Sequence, residues 1–68
     1  MNYDQAFADI KKWIEQNNMM ASKVKFGSQQ YWNWVVTSSA KLCNYYHNNP
    51  IINNIMLGLW NYLLEIPQ

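Results

Sequence analysis

Along the first part of the chain, apolar residues recur at spacings of three and four. Tyr3, Ala6, Phe7, Ile10, Trp13 and Ile14 take one side while Asp9, Lys12, Glu15 and Gln16 take the other. On a helix advancing about 100° per residue these positions form one stripe, so the pattern predicts an amphipathic helix from about Tyr3 to Asn17. Asn2 is placed to cap it, Gln5 is placed to reach back as in a capping box, and Asp4 suits the positive end of the helix dipole. Gln16-Asn17-Asn18 loses the pattern, and asparagine tolerates the left-handed conformation that ends helices.

From Asn18 to Gly27 the period changes. Met20, Ser22, Val24 and Phe26 alternate with Ala21, Lys23 and Lys25, a two-residue repeat over a short span. A strand here finds no pairing partner elsewhere in the chain and would need one across a dimer axis. The expectation is therefore a loop whose Val24 and Phe26 plug the core and whose lysines stay solvated. Gly27 permits an unusual dihedral and Ser28 is a good cap, so a new helix starts there.

That helix, about residues 28–47, is the one around which the others are expected to pack. Trp34, Tyr45, Tyr31, Leu42, Val35, Tyr46, Trp32, Cys43 and Val36 fall on one arc about 200° wide, where a helix resting on a single neighbour needs a stripe nearer 100°. It should be covered from two directions. The Val35-Val36-Thr37 run favours a strand locally, but strict alternation fails and the helical template holds for about five turns. Ser38 and Ser39 are the small polar residues of the arc. They either let another helix approach closely or bond back to backbone carbonyls.

Asn48-Asn49-Pro50 marks the clearest boundary, with Asn49 as cap and Pro50 at the first helical position. The third helix, from Pro50 to about Ile66, is expected to fold back on the second as a hairpin. It is apolar almost all round: Ile51, Ile52, Ile55, Leu59, Tyr62, Leu63 and Ile66 form a main face, while Leu57, Trp60 and Leu64 spread onto the flank. Asn54, Gly58, Asn61 and Glu65 form a polar strip and Asn53 stands apart. A three-helix monomer would leave Leu57, Trp60 and Leu64 in water, an apolar patch of the kind that marks interfaces. The fold expected is all-α, a small three-helix domain spanning residues 1–68.

Composition sharpens this picture. Half of the residues are hydrophobic and eleven are aromatic, although a chain of this size buries only about 60% of the surface its unfolded form exposes. Charged residues amount to 13%, the formal net charge is +1, and all five basic residues are lysine. Without arginine, bidentate phosphate or guanine recognition is disfavoured, and the large electrostatic footprint of a nucleic-acid binder is missing. A helix–turn–helix reading fails because the third helix offers no basic residue to a groove. Single-strand contact through Lys23, Lys25 and stacking by Tyr31 or Trp34 is the remaining route to nucleic acid.

Chemistry-bearing clusters are sparse. Asp4, Asp9 and Glu15 sit on the exposed side of the first helix and Glu65 lies near the C-terminus. His47 is expected to cap or be solvated at the end of the central helix. Cys43, alone in the chain and on the apolar arc, reads as a buried thiol. Cys43 and His47 at four-residue spacing could share a helix face, but two ligands do not make a zinc site and no third group orients them as a nucleophilic pair. Gly27 and Gly58 are isolated, so there is no phosphate loop. No catalytic, cofactor-binding or metal residue is assigned, and the expectation is a non-enzymatic protein without cofactors.

The single cysteine, the acidic Asp4 and Asp9 near the start, and the absence of an apolar run near the roughly 18 residues that span a bilayer point to a cytoplasmic, non-membrane protein. The functional expectation is a protein-interaction module, an adaptor or inhibitor. Its ten asparagines and lack of arginine suit an A/T-rich coding sequence such as a mobile genetic element carries. Candidate interface residues are Tyr31, Trp34, Lys41 and Tyr45 on one edge of the central helix and Leu57, Trp60 and Leu64 on the third. A homodimer through these residues is expected, with a further protein partner of unassigned identity. A small nucleic-acid-binding or regulatory protein is the alternative reading, and a subunit of a larger assembly is the third.

Overall fold

The computed structural model of the chain describes residues 1–67 and contains three helices, α1 (Tyr3–Lys23), α2 (Gln29–Tyr45) and α3 (Pro50–Glu65), with no strand among the described residues. Among them, no helix is long and apolar enough to cross a membrane. Helix α2 lies centrally, as the width of its apolar arc requires, with α1 and α3 both packed on it.

Helix α1 begins as its sequence indicates, with Oδ1 of Asn2 accepting from the Gln5 amide at 3.1 Å. The capping box is not completed: the Gln5 side chain turns forward and donates to Asp9 at 3.0 Å. The helix also runs past Asn17 to Lys23. Ala6, Ile10, Trp13 and Asn17 form its buried stripe, and Asn17 accepts the Tyr31 hydroxyl through its amide oxygen. A buried polar group with a partner does not interrupt an apolar stripe energetically, so Met20 and Val24 extend the same face onto the core. Residues 20–26 thus contribute no strand. Met20 to Lys23 are helical, and Val24 to Gly27 form a turn in which Lys25 (φ 58°) and Gly27 (φ 84°) are left-handed. Val24 and Phe26 pack on the core from this turn.

One hydroxyl ties the end of α1 to the start of α2. Ser28 Oγ accepts from the Tyr31 amide at 3.2 Å and donates to the Val24 carbonyl at 2.7 Å. At its other end α2 closes with paired bonds, Asn48 N–H to the Cys43 carbonyl and His47 N–H to the Asn44 carbonyl, both 2.9 Å. This is the Schellman arrangement, with His47 at the left-handed position that glycine usually fills. His47 and Asn48, each at φ 55°, reverse the chain. Asn49 then caps α3, its Oδ1 accepting from Ile51 at 2.9 Å and Ile52 at 3.3 Å, and Pro50 opens the helix.

The two serines of α2 fulfil both roles that their size and chemistry allow. Ser38 Oγ donates to the Trp34 carbonyl one turn back and accepts Nε1–H of Trp13 from α1 at 2.8 Å. Ser39 Oγ donates to the Val35 carbonyl and accepts Nε1–H of Trp60 from α3 at 3.1 Å. Each hydroxyl thereby uses its one proton and accepts one from a neighbouring helix. A third polar contact fastens the other end of α1, where the Tyr46 hydroxyl donates to the Asp9 carboxylate. Between these contacts the buried side chains form one cluster, with Tyr31, Ile52 and Val35 at its centre.

Helix α3 is turned on its axis relative to the face its sequence suggests. Its buried residues are Ile52, Met56 and Leu63, whereas Ile51 and Tyr62 are exposed. The buried line lies about 60° from the centre of the expected face, toward the flank that holds Trp60. An all-round apolar helix has no preferred face of its own, so the indole that reaches Ser39 decides which side is inward.

Two outcomes follow for stability. Replacing Ser38 or Ser39 by alanine should lower the unfolding free energy by about 1–2 kcal/mol each in urea titrations, because a shielded indole donor loses its acceptor. This should hold even though alanine is the better helix former. Tyr46 is governed by pH. Its hydrogen bond to the Asp9 carboxylate, then burial and the charges of Asp9 and Tyr45, hold the phenol up to about 12 from its ordinary 10.0. The folded chain therefore keeps a proton that the unfolded chain loses near pH 10. The stabilisation is complete below about pH 10 and is lost as pH rises toward about 12. Wild-type stability should fall more steeply across that window than that of Tyr46→Phe.

Candidate interaction surface

The candidate interface residues do not form one surface. Tyr31 is 0% exposed and belongs to the core, held by Asn17 and by the Phe26 ring at 4.9 Å. This corrects its assignment to an interface. Trp34 is half-buried beneath α1 with its ring stacked on Trp13 at 5.4 Å and 17°, so α1 already covers that edge. Lys41 and Tyr45 are exposed beyond it, Tyr45 lying edge-on to Tyr46 at 4.9 Å.

Leu57, Trp60 and Leu64 lie elsewhere. Leu57 and Trp60 line a shallow groove of about 420 Å³ between α2 and α3, and Leu64 lies one turn beyond Trp60. The α2 wall is made by Val36, Ala40 and Cys43, the α3 wall by Met56, Leu57 and Trp60. Ser39 contributes to the groove, as do the amides of Asn48, Asn53 and Asn54. Val36 is 51% exposed, Leu57 55% and Leu64 59%. Trp60 is held in one orientation by its bond to Ser39.

The electrostatics of this surface follow from where the charges sit in the sequence. Helix α1 carries Asp4, Asp9, Lys11, Lys12, Glu15 and Lys23, whereas α2 carries only Lys41 and α3 only Glu65. No acidic or basic residue lines the groove. Within it, Oδ1 of Asn53 is shielded and accepts no hydrogen bond, while its Nδ2 donates to the Asn48 carbonyl at 3.2 Å. Burial pushes the Cys43 thiol up from its ordinary range, which disfavours the thiolate. Helix α2 ends at Tyr45 and His47 is left-handed in the exposed turn beyond it. The helical four-residue spacing that would align His47 with Cys43 is therefore not kept.

Sequence reasoning missed Ala40, Met56 and Asn53 as parts of this surface. Val36 was legible only as one end of the wide α2 arc. Its position on the side away from Trp34 is the available signal, since α1 and α3 together cannot cover both ends. A smaller pocket of about 90 Å³ lies where Trp13 and Ile14 of α1 approach Leu59 and Tyr62 of α3. Among the described residues, no group of three or more His, Cys, Asp or Glu side chains is placed to hold a metal ion. No protein-family model, no curated protein and no solved structure matches the chain.

The half-buried thiol gives a direct check on the groove's polarity. At neutral pH, Cys43 should react with a maleimide several-fold more slowly than free cysteine, and unfolding in urea should abolish the difference. A rate equal to that of free cysteine in the folded chain would mean that the α2 wall is more open than described.

Proposed function

We propose that the chain is a non-enzymatic protein-interaction module, a small adaptor or inhibitor, which docks a partner against the α2–α3 face. The observation that carries this reading is the uncharged groove whose rim leaves Val36 and Leu57 more than half exposed, with Leu64 beside it. An apolar surface of this kind, with a tryptophan fixed in its wall, is the arrangement that anchors protein interfaces. Trp60 supplies aromatic area at little entropic expense because its indole is already bonded to Ser39. A reducing cytoplasm suits the single free thiol.

The test is retention on the immobilised chain, challenged with a native cell extract and separately with its own soluble copy. A protein retained by wild type, lost on Leu57→Lys, and held equally at about 50 and 500 mM salt supports the reading, since apolar contacts lack the steep salt dependence of phosphate contacts. Retention of no protein overturns it, as does retention that Leu57→Lys leaves unchanged. Nucleic acid released by salt would replace it with the alternative of a nucleic-acid-binding protein.

A further inference from the structure

We draw no further inference here: the strongest candidate, the uncharged groove between α2 and α3 walled by Val36, Leu57 and Trp60, is an unpartnered apolar surface, and nothing in the structure shows what covers it.

Discussion

Two adjacent hydroxyls on one helix hold the three helices in place. Ser38 and Ser39 follow one another on α2, so their side chains diverge by about 100°, and each accepts an indole proton from a different neighbour, Trp13 of α1 or Trp60 of α3. The angle between the two serines is thus also the angle between the positions where α1 and α3 attach. A domain of this size has a thin core, and apolar contact alone is non-directional. Directional bonds supply what a thin core lacks, a single orientation for each flanking helix.

The consequence for α3 reaches the surface. Trp60 turned toward Ser39 brings Met56 inward to 2% exposure and leaves Leu57 at the groove rim. The uncharged groove is therefore a product of how α3 is attached, and the same indole that fastens the helix forms the groove wall. Near the C-terminal end of α2 the Tyr46–Asp9 contact draws the charged helix against α2. Charge is left to α1 and the turn after it, and the hairpin of α2 and α3 is nearly free of it.

The parts of this arrangement that were legible in the sequence are those fixed by neighbours a few residues apart. Asn2, Ser28 and the Asn49-Pro50 pair cap their helices through bonds spanning two or three residues, so local chemistry sufficed to place those boundaries. The arc on α2 was wide enough to require two covering helices, which it has. The end of α1 was not legible, because Asn17 reads as polar and its partner Tyr31 is 14 residues away. The orientation of α3 was hidden for a related reason: its apolar residues surround the helix, and the choice among faces is made by Ser39, 21 residues before Trp60. Tyr31 and Trp34 share an arc in the sequence, yet one is core and the other is stacked under Trp13. Only the path of α1 separates them.

The claim on which the rest depends is that the Trp13 and Trp60 indole protons are bonded to Ser38 and Ser39, and hydrogen exchange of those two indole N–H groups by NMR tests it most directly. Both should exchange far more slowly than a free indole, at rates approaching those of the best-protected α2 amides, because release requires separation of the helices. Exchange of either indole at the solvent-exposed rate while the α2 amides remain protected would contradict it, since that helix would then be held to α2 without its serine.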